Sequence, residues 1–190
     1  DHQIGRLMDR LDELGIADDT IVIFTSDNGM NLGQHGIWGK GNGTFPQNMY
    51  DSSVKVPFIA SWPGHFAKGA VCSELFSHYD ILPTLCHLAG CPVNTKQEIP
   101  GHSFARWLED PELESSRPVV VFDEYGPVRM IRDKEWKLVL RYPYGPNEFY
   151  HLTEDPDETE NLFHDQAQED RILAMRSQME EWFLRFSDTD

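Results

Sequence analysis

Four short β-type runs lie almost end to end between Val119 and Leu152: VVVFDEY, VRMIRD, WKLVLRY and EFYHL. They are parted only by the turn-forming pieces YGP, DKE and YPYGPN. Connections this short leave no room for a crossover, so each strand must return beside the one before it and the stretch must be an antiparallel meander. Gln168 to Phe186 follows as a helix. Its Ile172, Met175, Met179, Trp182, Phe183 and Phe186 make an apolar stripe that needs the meander or the preceding lobe as cover.

The first part of the chain has a different rhythm. Ile4, Leu7, Met8, Leu11 and Leu14 recur at helical spacing and stop at Gly15, so a helix opens the chain in mid-pattern, as a cut end would. Thr20 to Thr25 (TIVIFT) is a continuous β-branched and apolar run that suits a strand buried on both faces. VKVPFIASW, Val54 to Trp62, reads as a second strand whose Pro57 belongs at its beginning or on an edge. Leu75 to His78 looks strand-like; the helix after it has Asp80 as candidate N-cap, Pro83 in its first turn and Gly90 at its end. A polar, Pro-containing stretch from about Asn94 to Pro118 leads to the meander. The expected fold class is therefore α/β: part of a mixed sheet flanked by helices over residues 1–117, then a small antiparallel-sheet subdomain with a carboxy-terminal helix over 118–190.

Composition narrows the partners. Sixteen Lys and Arg against 32 Asp and Glu leave a formal charge of -16, which repels phosphate backbones and excludes nucleic acid as a natural partner. No apolar run is long enough to span a membrane. Cys72, Cys86 and Cys91 form no disulfide framework and no C-x-x-C pair; they read as buried thiols, with Cys86 and Cys91 close enough in sequence to bond in an oxidising compartment. An anionic substrate would need a local cation or a metal in so acidic a chain.

Such a place is marked at the end of the first strand by Ser26-Asp27-Asn28-Gly29. Asp27 offers a carboxylate and Asn28 a carbonyl oxygen, hard donors that suit Ca2+ or Mg2+ better than zinc. Twelve residues beyond Asn28, in GQHGIWGKGNG, Lys40 sits among five glycines. Glycines let backbone approach a ligand, and a lysine held there can neutralise an anionic oxygen or protonate a leaving group. His35, in the same loop, could hydrogen-bond a substrate oxygen or donate a proton. The competing readings are a capped Asn-Gly turn for Asp27, a solvated surface lysine for Lys40 and a structural histidine for His35. DPDETEN, Asp155 to Asn161, lacks the glycine and terminal glutamate of a calcium loop and reads as a solvated Asp-Pro turn. Asn42-Gly43-Thr44 is a chance match to a glycosylation sequon.

TIVIFTSDNG, LGQHGIWGKG, VKVPFIASWPG and SHYDILPTLCHLAG, in that order, resemble the second half of the sulfatases of the alkaline phosphatase superfamily. RMIRDKEWKLVLRY and EFYHLTEDPDETENL resemble that family's carboxy-terminal subdomain, so the resemblance spans the chain. It implies a sulfuric ester hydrolase acting on a small organic or carbohydrate sulfate ester, in a periplasmic, extracellular or lysosomal setting. By the same resemblance, Asp27 and Asn28 match ligands of a divalent cation, usually Ca2+, and Lys40 matches the lysine that contacts the sulfate ester and helps the alcohol oxygen depart. His35 lies in the same loop with no firm role. The formylglycine nucleophile of a C/S-x-P-x-R motif is absent from these residues, as are the paired aspartates that complete the metal shell. The resemblance therefore implies an inactive carboxy-terminal portion whose partner is the missing amino-terminal part of its own chain. A phosphonate or phosphate ester hydrolase of the same superfamily and a non-catalytic binding protein on this fold are the alternatives. Trp38, His102 and Arg129 either line a subsite or pack.

Overall fold

The computed structural model describes residues 1–94, 98–123 and 126–186. Helix α1, His2–Glu13, ends where Gly15 takes a φ of 65°, as its spacing requires. None of its residues is buried, so the apolar stripe of Ile4, Leu7 and Leu14 lies open. Strand β1, Val22–Thr25, pairs antiparallel with β4, Phe58–Ser61, in the register Val22 to Ser61 and Thr25 to Phe58. Strand β4 begins directly after Pro57, whose missing N–H would break a ladder.

The expected burial of the first strand on both faces does not hold. Phe24 is 45% exposed and Ile59 opposite it 61% exposed, because the β1–β4 pair has no third strand and no helix across that face among the described residues. Between the two lie a short ribbon of β2, Asn31–Leu32, and β3, Trp38–Gly39, and a one-turn helix α2, Asp51–Val54.

Helix α3, Ile81–Leu88, closes at Gly90 with φ 65°. Asp80 does not cap it. Its fully buried carboxylate turns back to accept the N–H groups of Ser77 and His102, both at 2.8 Å, and the Arg117 guanidinium at 2.6 Å. That carboxylate ties together a stretch the sequence suggested was irregular, which also contains helix α4, Ala105–Glu109. Leu75 to His78 forms no strand. The three cysteines are free; Cys72 and Cys86 are half-buried and Cys91 is exposed, against the expectation of buried thiols.

The meander is present as β5, Val119–Phe122, β6, Val128–Arg132, β7, Trp136–Arg141, and β8, Glu148–His151, in that spatial order. The first run was expected to continue through Glu124 and Tyr125, which lie outside the described residues. Helix α5, Glu169–Phe186, places Ile172, Met175, Met179 and Phe183 on Val120, Ile131, Trp136, Leu138, Leu140 and Phe149. The other face of the sheet, with Val128, Met130 and Val139, packs on Met49.

Every residue of β7 is therefore buried, including the two charged side chains, Lys137 and Arg141, that period-2 alternation sends to the Met49 face; Lys137 is 0% exposed. The Lys137 side chain reaches α2. Its ammonium bonds the Met49 carbonyl at 3.1 Å, Glu158 at 2.6 Å and Asp51, whose carboxylate also takes Arg132 at 2.6 Å. Glu158 in turn accepts the Asp51 N–H at 2.6 Å. Burial would raise the Asp51 carboxyl, but Lys137 and Arg132 outweigh it and hold it below its ordinary value. For Glu158, burial prevails and its carboxyl is raised despite Lys137. The DPDETEN segment is thus only partly the solvated turn expected. Asp155 does organise the turn by accepting from Thr159 and Glu160, but Glu158 points inward from a left-handed residue, φ 54°.

Candidate functional site

At the end of β1 the chain turns sharply through Ser26, Asp27, Asn28 and Gly29. The Ser26 hydroxyl donates to the Asn28 carbonyl at 2.9 Å, and the Asn28 N–H donates to Asp27 Oδ1 at 2.9 Å. The turn is clamped to α2, where Gly29 N–H donates to the Ser53 carbonyl at 2.9 Å. The approach is so close that a Cβ on Gly29 would lie 2.2 Å from the Ser52 carbonyl oxygen. Backbone cannot yield there as a side-chain tip can. Gly29→Ala should lower stability by about 1–3 kcal/mol, as overpacking does, and a urea midpoint unchanged from the parent would refute the clamp.

Lys40 is held by a second set of bonds. Its loop is pinned by the β2–β3 pairing of Asn31 with Gly39, by the Asn31 amide on the Gly39 carbonyl at 3.2 Å, and by the Asn48 backbone and side-chain N–H groups on the Gly41 carbonyl, both at 3.0 Å. Both asparagines are buried and meet at Ser53, whose hydroxyl accepts from Asn31 and donates to Asn48, each at 2.6 Å. Ser52 adds a bond to Asn31 Oδ1 at 2.5 Å. Asn31, Asn48 and Ser53 had no motif to announce them, since buried amides in a glycine-rich loop look in sequence like ordinary surface residues.

The result brings Lys40 Nζ to 3.7 Å from Asp27 Oδ2, with the side chains 54% and 79% exposed. The nearby ammonium, with the Asn28 N–H adding to it, keeps the Asp27 carboxyl below the ordinary carboxylate range and hence ionised. So exposed a pair adds little to stability, yet buried bonds hold the backbone on both sides of it.

Asn28 donates its amide N–H to the Gly29 carbonyl at 2.7 Å, leaving the amide oxygen without a partner among the described residues. A carboxylate and an amide oxygen on successive residues fit a hard cation that takes six to eight oxygens, but only as part of its shell. Among the described residues no group of three His, Cys, Asp or Glu side chains could complete it.

The other candidates make different contacts. His35, in a left-handed conformation with φ 54°, stacks on Tyr50 with centroids 3.6 Å apart, and no hydrogen bond joins it to Asp27, Asn28 or Lys40. Arg129 lies over the Phe183 ring at 4.0 Å, which is a packing role. His102 stands beside Arg117 and the Pro100 carbonyl. Trp38, near Lys40 in sequence, is exposed.

At the end of a strand, then, a carboxylate and an ammonium stand 3.7 Å apart with an amide side chain on the next residue, groups of the kind that a hard cation and an oxyanion can use. Comparison with known proteins gives the family. A family model described as Sulfatase matches residues 1–91. Choline-sulfatase of Rhizobium meliloti (strain 1021) is 31% identical over 167 residues, 85% of this chain and 30% of its own length. A solved protein in complex with its substrate D-glucosamine-2-N,6-O-disulfate superposes with a TM-score of 0.83 and 26% identity, over 100% of this chain and 39% of its own. Phosphonate monoester hydrolase of Agrobacterium radiobacter superposes with a TM-score of 0.80 and 27% identity, over 96% of this chain and 38% of its own. The chain belongs to the sulfatase family. It spans about a third of the length of these relatives. Among the described residues no helix is long and apolar enough to cross a membrane.

Proposed function

We propose that the protein hydrolyses sulfate esters, with these residues supplying two cation ligands and the group that assists the leaving oxygen. The observation that carries this reading is the approach of Lys40 to Asp27, 3.7 Å, with the next residue, Asn28, keeping an amide oxygen that has no partner among the described residues. Asp27 and Asn28 would hold a divalent cation, Ca2+ by the hardness of the donors. When bound, that cation supplies Lewis-acid stabilisation of charge on the sulfuryl oxygens. Lys40 would hydrogen-bond the bridging oxygen and give it a proton as the S–O bond breaks. A carbohydrate or other small organic sulfate is the proposed substrate class, in keeping with the disulfated glucosamine bound by one structural relative.

Attack on sulfur also needs a nucleophile in line with the bond that breaks, and no C/S-x-P-x-R motif occurs in these residues. We place that group, and the remaining cation ligands, in sequence outside these 190 residues. The same sequence would cover the open apolar faces of α1 and the β1–β4 pair. Purified alone, the chain should bind Ca2+ weakly by calorimetry, lose that binding in Asp27→Ala, and show no turnover of 4-nitrophenyl sulfate. Sulfatase turnover by the chain alone would overturn the division of the site.

A phosphonate or phosphate ester hydrolase is the second reading, favoured by the likeness to the Agrobacterium radiobacter enzyme. Asn28 argues against it, since a softer metal would be better served by histidine at that position. Assay of the full-length protein on paired aryl sulfate and aryl phosphonate esters decides. The sulfate should have the higher kcat/KM, and the opposite order would transfer the assignment to the second reading.

A further inference from the structure

We infer that the buried Asn31–Ser53–Asn48 relay is a positioning device for Lys40, setting the ammonium against the leaving oxygen. The inference rests on the proposed role of Lys40 and adds to it the residues that make that role possible. The Ser53 hydroxyl joins the two amides at 2.6 Å each, and those amides end on the carbonyls of Gly39 and Gly41, the residues on either side of Lys40. The Ser53 carbonyl takes the Gly29 N–H at 2.9 Å, directly after Asn28. One residue therefore fixes both halves of the site, the cation ligands through its backbone and the acid through its side chain.

A chain of neutral hydrogen bonds is an expensive way to hold an exposed loop. Each polar group must be desolvated and then fully satisfied, and here all three side chains are buried and bonded. The only charged group the loop presents beside the SDNG turn is exposed and forms a weak pair. Stability alone does not account for such a structure under Lys40. Precision does, because a reacting group displaced by about 1 Å can cost on the order of a hundredfold in rate.

The relay sets the proton donor, so its loss should matter in proportion to how badly the departing oxygen needs a proton. An alkoxide needs one, whereas 4-nitrophenolate leaves readily without one. In the full-length enzyme, Ser53→Ala should lower kcat for a simple alkyl sulfate roughly tenfold to a hundredfold, lower kcat for 4-nitrophenyl sulfate far less, and leave KM for both little changed. Ser53→Thr, which keeps the hydroxyl, should restore most of the alkyl sulfate rate. Asn48→Ala is the second variant, and the thermal midpoint of each variant is measured alongside. A merely structural role would slow both esters equally, by shrinking the folded fraction.

Lys40→Ala is the control that separates the two claims. If it shows the steep dependence on leaving group while Ser53→Ala and Asn48→Ala slow both esters alike or neither, the relay is refuted and the role of Lys40 stands. If Lys40→Ala itself slows both esters alike, the role of Lys40 fails and the relay inference falls with it.

Discussion

Lys137→Ala should destabilise the chain by about 3–5 kcal/mol, the usual cost of removing one partner from a buried ion cluster. The ammonium is fully buried and serves two carboxylates and a carbonyl at once. Without it Asp51 keeps Arg132, but Glu158 is left buried with, among the described residues, only the Asp51 N–H to bond. Against a typical total stability of roughly 5–15 kcal/mol, the loss should appear as a large fall in the urea midpoint at neutral pH.

The effect should also depend on pH in a definite sense. Burial already raises the Glu158 carboxyl, and removing its cation must raise it further. A carboxyl raised in the folded state contributes stability at low pH and loses it as pH climbs through the folded value. The gap between parent and variant should therefore narrow toward pH 4 and widen toward pH 7. A penalty under about 1 kcal/mol at pH 7, or one that grows on acidification, would show that the cluster does not bear the charge balance described here.

Lys40→Ala should have the opposite profile: little change in stability and a large change in chemistry. Its ion pair with Asp27 is exposed on both sides, so the melting point should shift little. Loss of a positioned acid typically costs on the order of 10²–10⁴ in rate, and the full-length enzyme should lose about that much of its kcat on an unactivated sulfate ester. Exogenous small amines should recover part of the rate if the missing group is a proton donor. A variant within twofold of the parent on such an ester would remove Lys40 from the mechanism.

Legibility in sequence varied along the chain, and the reasons are physical. The meander and α5 could be read because their pattern is self-contained: Ile172, Met175, Met179 and Phe183 form a helical stripe, and the sheet that covers them is made by the same chain. The first strand could be located but not its surroundings. TIVIFT reads as a strand to be buried on both faces, but burial depends on what packs across the strand, and among the described residues β1 pairs with β4 alone and leaves Phe24 exposed.

The proximity of Asp27 and Lys40 was suggested by motif order and by the glycines around the lysine. How the two are held could not be foreseen, because nothing in the spacing of Asn31, Asn48 and Ser53 indicates that a one-turn helix will bring them into one buried knot. Asp80 shows the same limit from another side. Its position before a helix suggested a cap, but Arg117, 37 residues away, competes for the carboxylate and wins.

The salt cluster on β7 has a practical consequence for anyone dividing this molecule. Residue 117 or 118 looks in sequence like a convenient seam, with one kind of architecture before it and another after. Yet Asp51 begins the helix whose two serines support the loop of Lys40, and its cations, Arg132 and Lys137, stand beyond that seam. A graft that carried only the amino-terminal piece into another scaffold would bring the amine but not its foundation. The terminal sheet would have to travel with it, as the keel travels with the mast.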